Sequence, residues 1–348
     1  MGLDTLKPYM AQYDTVLLDM DGVVTSEEVY WNTAALTVWE MLHSRRYFGT
    51  EDICPAELTK QLPAIRAAVF SDDALIKIMK TRGVNNNWDL SWLVIGCALI
   101  QKTHDYGKIF SMLNEFPSVA EGLYTTLSDG LVRFAGMTES EAAQLQGLWL
   151  SVQICFQEWF LGSELMPQYW NHETVQPGKA GLSFSEEPIV DKATLVRLLK
   201  MIGSSKRLGI GSGRPAVEAK NPLVAWGVWD SFADDAIITY NDVIRAQTAL
   251  ADTQPDISLA KPHPFMFLRG VFGNRYTDAE LLEGRYDAAA CAKTLVIGDA
   301  ACDLFSAKSA GCDFATVLTG IEGEKARGFF EEQKADYILH NILELLEA

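Results

Sequence analysis

The sequence is short of positive charge. Lys and Arg number 29 against 46 Asp and Glu, a formal charge of −17 over 348 residues. Binding to nucleic acid or an anionic membrane surface relies on Lys and Arg displacing counterions, so neither is an expected partner. Long hydrophobic runs are also missing. The longest, WLVIGCALI from Trp92 to Ile100, is about half of the roughly 20 residues that cross a bilayer, and it reads as buried helix. The six cysteines, Cys54, Cys97, Cys155, Cys291, Cys302 and Cys312, are scattered, with no C-x-x-C pair and no histidines at zinc spacing. A reduced cytoplasm suits that usage. The opening MGLDTLKPYM has no basic stretch leading into an apolar one, so a secretory signal is not expected. Low-complexity tracts are absent, and 48% hydrophobic with 22% charged residues predicts a chain that folds throughout.

What is present divides into two patterns. TVLLD, Thr15 to Asp19, is a short apolar strand of the kind covered on both faces of a parallel sheet. From about Ser26 to Phe184 the spacing is helical, in EEVYWNTAALTVWEML, AELTKQLPAIRAAVF, NNNWDLSWLVIGCALIQ and TESEAAQLQGLWLSVQICFQEWFLG. Seven of the nine tryptophans (Trp31, Trp39, Trp88, Trp92, Trp149, Trp159 and Trp170) fall in this block, enough aromatic area for a core of its own. Strand and helix then alternate: LVRLLKMIGSS, RLGIGS, RPAVEAKNPLVAWGV, AIITY, HPFMFLRGVF, TLVIGD, ACDLFSAKSAG, DFATVL, GEKARGFFEEQ and ADYIL before a terminal helix. Repeated strand–helix units predict an α/β fold with a doubly wound parallel sheet. The expected organisation is a core of residues 1–25 plus 187–348, interrupted by an inserted helical domain, 26–186.

In such a sheet ligands bind beyond the carboxyl ends of the strands, near the point where strand order reverses. Polar residues there are Asp19 and Asp21 after the first strand, Ser212 after LGIG, Lys261 in LAKPHP, and Asp299 with Asp303 in VIGDAACD. Residues two apart on an extended chain face the same way, so Asp19 and Asp21 repel. A hard, oxygen-seeking Mg²⁺ resolves the conflict by taking a carboxylate oxygen of Asp19, the backbone carbonyl of Asp21 and a carboxylate of Asp299. Gly22 lets the chain turn sharply away. Lys261 offsets negative charge on a nucleophile and a phosphoryl group, while Ser212, Gly213 and Arg214 at a helix start offer phosphate-binding donors. Each residue taken singly has an ordinary explanation as turn, helix cap or surface charge. Their joint placement at strand ends points to phosphoryl chemistry.

LLDMDGVVT, IGSGRP, AKPHP and VIGDAACDLFSAKSAG, in that order, resemble the four motifs of the haloacid dehalogenase superfamily of phosphohydrolases. The resemblance implies that Asp19 attacks phosphorus to give an aspartyl-phosphate, and that Asp21 protonates the leaving oxygen and later activates water. It implies that Ser212 and Lys261 hold the phosphoryl group, and that Asp303 orients Lys261 or a metal-bound water. The second aspartate favours phosphoryl transfer over carbon–halogen cleavage, because a halide leaving group needs no acid. The helical insertion stands where the family carries a cap, but at about 160 residues it is longer than the usual bundle at that position.

The expected function is therefore a Mg²⁺-dependent phosphatase of a small phosphorylated metabolite, cytoplasmic, monomeric or homodimeric. Phosphomutase action on sugar phosphates and non-catalytic metabolite binding are the alternatives. Substrate choice is expected from the insertion, with Trp31, Asn32, Arg45, Arg46, Asn86, Asn87 and Trp88 as candidates. His263, between two prolines, reads as structural.

Overall fold

Thr15–Leu18, strand β1, is buried at all four positions. Side chains alternate across a strand, and here the alternation splits the core. Val16 and Leu18 join an apolar cluster that includes Leu208, Ile210, Leu295 and Ile297. Leu17 joins another, with Val296, Phe314 and Phe267. A strand that must be apolar on both faces cannot show the polar alternation of a half-exposed one, which is why TVLL reads as a continuous run. The computed structural model describes residues 5–84, 86–134, 139–251 and 257–347.

The other strands are β2, Arg207–Gly211; β3, Ile237–Ile238; β4, Thr294–Gly298; β5, Asp313–Val317; and β6, Tyr337–Leu339. They form a six-stranded sheet in the order β3-β2-β1-β4-β5-β6. All pairings are parallel, with Leu18 opposite Ile210 on one side and Ile297 on the other. The order reverses beside β1: the chain winds outward through β2 and β3, then returns to β4 on the other flank. The doubly wound α/β expectation is met, and the crevice for a ligand is set by β1, β2 and β4.

The chain separates into two compact units, Met1–Glu27 with Glu186–Ala348, and Glu28–Ser185. The second is helical. Its long helix Glu28–His43 packs against Leu62–Phe70, Asn87–Gln101 and Glu139–Leu161. WLVIGCALI lies inside Asn87–Gln101, where Trp92 through Ala98 are all buried. No helix among the described residues is long and apolar enough to cross a membrane. Trp88 meets Trp149, Phe156 and Trp170 edge-on, with ring centroids 6.1, 6.5 and 5.9 Å apart.

Three local differences from the sequence pattern have physical causes. AELTKQLPAIRAAVF is two helices, Pro55–Lys60 and Leu62–Phe70, because Pro63 has no N–H to continue a helical ladder and sits instead in a new first turn. The terminal helix is only a 3₁₀ turn, Ile342–Leu345. Tyr240–Leu250 is a helix with only Val243 and Ala246 buried, so its apolar signal is weak. Thr239 caps it reciprocally with Asp242, a T-x-x-D signature visible in the sequence.

Candidate active site

Asp19 directly follows β1, and its N–H reaches the Ile297 carbonyl at 2.8 Å, extending the β1–β4 ladder by one residue. The chain then turns. The Met20 carbonyl accepts the Val24 and Thr25 N–H groups at 2.8 and 2.9 Å and the Thr25 hydroxyl at 3.0 Å. Gly22 makes the bend at φ +75°. A Cβ there would stand 2.3 Å from Asp299 Oδ2, so glycine is required by both conformation and space.

Asp299 comes from the end of β4 and Asp303 from the first turn of the helix Ala301–Ala310. One oxygen of Asp303 caps that helix, accepting the Ala300 N–H at 3.2 Å. The other lies 2.7 Å from Lys261 Nζ. Lys261 also donates to Asp19 Oδ1 at 2.8 Å, so one ammonium bridges a residue after β1 and a residue after β4. Oxygens of Asp19, Asp299 and Asp303 all lie within 4.8 Å of one another.

Burial pushes the Asp19 carboxyl up to about 7; Lys261 pulls it down, and the Asp303 and Asp21 charges add to the rise. For Lys261, burial alone would favour the neutral amine. The two aspartates outweigh it and hold its pKa above the ordinary lysine value. The acidic group thus carries more negative charge than its one ammonium offsets, and its donors are all carboxylate oxygens. That chemistry suits a hard divalent cation.

Ser212 follows β2 and is buried; its hydroxyl oxygen accepts the Arg214 N–H at 3.2 Å. Its own N–H goes to Ile238, and the Ala216 N–H at the helix start goes to Asn241 Oδ1 at 2.8 Å. The turn therefore offers a phosphoryl group fewer backbone donors than its sequence suggests.

Arg214, expected among the phosphate-binding groups, faces elsewhere. Its guanidinium donates to both oxygens of Asp21, to both oxygens of Glu186, to the Thr25 hydroxyl oxygen and to the Glu218 carbonyl. Burial raises the Glu186 carboxyl, and Arg214 draws it back. His263 makes a local turn contact, its Nδ1 accepting the Phe265 N–H at 3.2 Å.

Sequence reasoning missed three contributors. Glu186 sits in SEEP, which carries no recognisable signal. Thr319 and Gly320 follow β5: the Thr319 hydroxyl donates to the Gly22 carbonyl, and a Cβ on Gly320 would stand 2.1 Å from Asp299 Oδ2. Applying the strand-end rule to β5 as well would have found them.

The candidates in the helical unit are bonded within that unit. Arg66 donates to Asn32 at 3.1 Å and lies over the Trp31 ring at 5.1 Å. Asn86, not Asn87, caps the helix Asn87–Gln101, and Trp88 donates to Gln157 at 3.2 Å. Arg45 pairs with Asp52, and Arg46 donates to the Val175 carbonyl. Asn85, in the same NNNWD segment, lies outside the described residues.

Residues 258–345 match the HAD-hydrolase-like family, a span that carries Lys261, Asp299 and Asp303. Among curated proteins none matches the sequence. Among solved structures, a crystal structure of a Northeast Structural Genomics Consortium target is 26% identical with TM-score 0.81, over 95% of this chain and 97% of that one. A hydrolase from Pseudomonas syringae is 16% identical with TM-score 0.44, over 96% of this chain and 95% of that one. Over residues 258–345 this chain is similar to the haloacid dehalogenase-like hydrolases, and the parallel sheet with acidic residues at the ends of its central strands accords with that similarity.

Proposed function

We propose that the protein is a Mg²⁺-dependent phosphatase that hydrolyses a small phosphorylated metabolite through an aspartyl-phosphate on Asp19. The observation that carries this reading is the bridge of Lys261 between Asp19 and Asp303, with Asp299 beside them, at the point where strand order reverses. An anionic nucleophile can approach an anionic ester only where positive charge is already in place.

Asp19, Asp299 and the backbone carbonyl of Asp21 would hold the ion, Asp303 being engaged with Lys261 and Ala300. Bound there, Mg²⁺ supplies charge neutralisation for the nucleophile and the ester oxygens. An Asp19 oxygen forms a bond to phosphorus as the bond from phosphorus to the leaving alcohol breaks, and Asp21 gives that alcohol its proton. Asp21 then takes a proton from water, whose oxygen attacks the same phosphorus. Inorganic phosphate leaves and the Asp19 carboxylate is restored. Lys261 balances charge throughout, and the Ser212 hydroxyl with the Gly213 N–H steadies the transferred group. The helical unit, inserted between residues 27 and 186, serves as the cap that selects the substrate.

The test is a screen of purified protein with Mg²⁺ against phosphorylated sugars, nucleotides, amino acids and organic acids. Metal-dependent release of phosphate is expected, and Asp19→Asn should abolish it. If that variant kept most of the activity, the covalent route would be wrong. Isomerised sugar phosphate in place of free phosphate would make the protein a mutase, and metabolite binding without turnover would make it a binding protein.

A further inference from the structure

Arg214 is 3% exposed and its guanidinium has two occupied edges. Along one, Nε and Nη2 donate to Asp21 Oδ2 and Oδ1 at 3.0 and 2.6 Å. Along the other, Nη1 and Nη2 donate to Glu186 Oε2 and Oε1 at 3.0 and 2.6 Å. The Thr25 hydroxyl oxygen, 2.9 Å from Nη2, and the Glu218 carbonyl, 3.3 Å from Nη1, complete the set. A guanidinium has five N–H groups, and these six acceptors engage all of them. No donor is left over for a phosphoryl oxygen.

We infer that Arg214, braced by Glu186, is a positioning residue that holds the Asp21 carboxylate in one orientation through both proton transfers, and is not a phosphate ligand. The inference rests on the phosphatase reading above. Two parallel N–H···O bonds fix the plane of a carboxylate as well as its position. They use the lone pairs facing Arg214; Oδ1 also lies 3.4 Å from the Thr25 hydroxyl, so the opposite lone pair of Oδ2 is the one placed for the proton that moves. Without the clamp, an aspartate whose side chain is 27% exposed would be free to turn between giving a proton to the alcohol and taking one from water. Glu186 keeps the arginine from following Asp21, because it grips the far edge from a different chain segment, the first residue of the core after the helical unit.

The experiment measures single-turnover release of the alcohol from phosphate esters of graded leaving-group ability. It compares wild type, Arg214→Lys, the charge-balanced pair Arg214→Met with Glu186→Gln, and each of these in an Asp21→Asn background. Lysine offers a point charge and cannot span two oxygens. The double variant leaves no buried glutamate unpaired, so it guards against a simple folding failure.

A poorly placed proton donor costs about 10- to 100-fold. That loss is expected in the rate for alkyl phosphates, with KM within about twofold of wild type. The loss should shrink toward unity for dinitrophenyl phosphate, whose leaving group needs no proton, and should vanish in the Asp21→Asn background. A KM raised alike for every ester, with losses that add to that of Asp21→Asn, would make Arg214 a phosphate ligand and overturn the inference. Full activity in both Arg214 variants would do the same. A wild type that turns over no ester in the panel removes the phosphatase reading itself, and the positioning role with it.

Discussion

Among the described residues two lysines each sit between two carboxylates, and only one of them lies in the candidate site. Lys261 lies 2.8 Å from Asp19 and 2.7 Å from Asp303. Lys179, in the helical unit, lies 2.7 Å from both Glu40 and Glu158. The charges and distances are nearly the same. Surroundings differ: the side chains of Lys261 and Asp19 are 10% and 13% exposed, whereas those of Lys179, Glu40 and Glu158 are 0% exposed. Glu158 is further tied to the Val175 and Gln176 N–H groups, and Lys179 lies over the Trp159 ring at 4.8 Å. Burial alone would strip the Lys179 proton, but Cys155, Glu40 and Glu158 hold it. The sealed triad joins the helix Glu28–His43, the helix Glu139–Leu161 and the segment that follows, so its work is structural. Composition does not distinguish a site from a staple; access to solvent and the nearness of a third acid, Asp299, do.

The comparison breaks most visibly on turnover. Lys261→Met should lower kcat about 100- to 1000-fold while the fold persists, read by phosphate release and far-UV circular dichroism. Lys179→Met should do the reverse, costing about 3–5 kcal/mol of stability because two buried carboxylates lose their partner. Urea titration would measure this, and the activity of the fraction still folded should be close to normal. A dead but fully stable Lys179→Met protein would mean that the sealed triad serves the chemistry.

A smaller effect separates the acid at the open site from those of the staple. Saturating Mg²⁺ should raise the melting temperature, by an amount equivalent to about 2.7 kcal/mol at a hundredfold excess over Kd. Asp299→Asn should remove that response, and Glu40→Gln should leave it intact. Smallest is a pH effect at Asp89, whose carboxyl burial pushes up against hydrogen bonds from Trp149 and Tyr124. A folded pKa above the unfolded one means the native state binds the proton more tightly. Ionising Asp89 therefore costs stability as pH rises from about 4, the unfolded value, through the folded value. Asp89→Asn never ionises, so melts across that range should show it gaining on wild type as pH rises.

The strand ends that carry the candidate site were readable because each falls where a strand's apolar run stops, and a run with β periodicity can be found without neighbours. Asp19, Ser212 and Asp299 were located that way, as was the parallel sheet. Arg214 shows the limit. Its position in SGRP is a matter of spacing, but the direction of its side chain depends on Glu186, 28 residues away and in a segment with no pattern. Lys179 was invisible for a similar reason, since a buried lysine is readable only from partners that folding brings to it. Gly320 was passed over although a neighbour's side chain, not a turn, dictates its identity.

The edge-on cluster of Trp88 with Trp149 and Trp170 has an optical consequence. Indoles fixed at right angles to one another in an asymmetric setting couple their transitions, so the helical unit should dominate near-ultraviolet circular dichroism and intrinsic emission. The sheet-bearing unit, with Trp226 and Trp229 as its tryptophans, would contribute less at those wavelengths. Loss of order in one half of the chain can therefore be watched apart from the other, with no label attached.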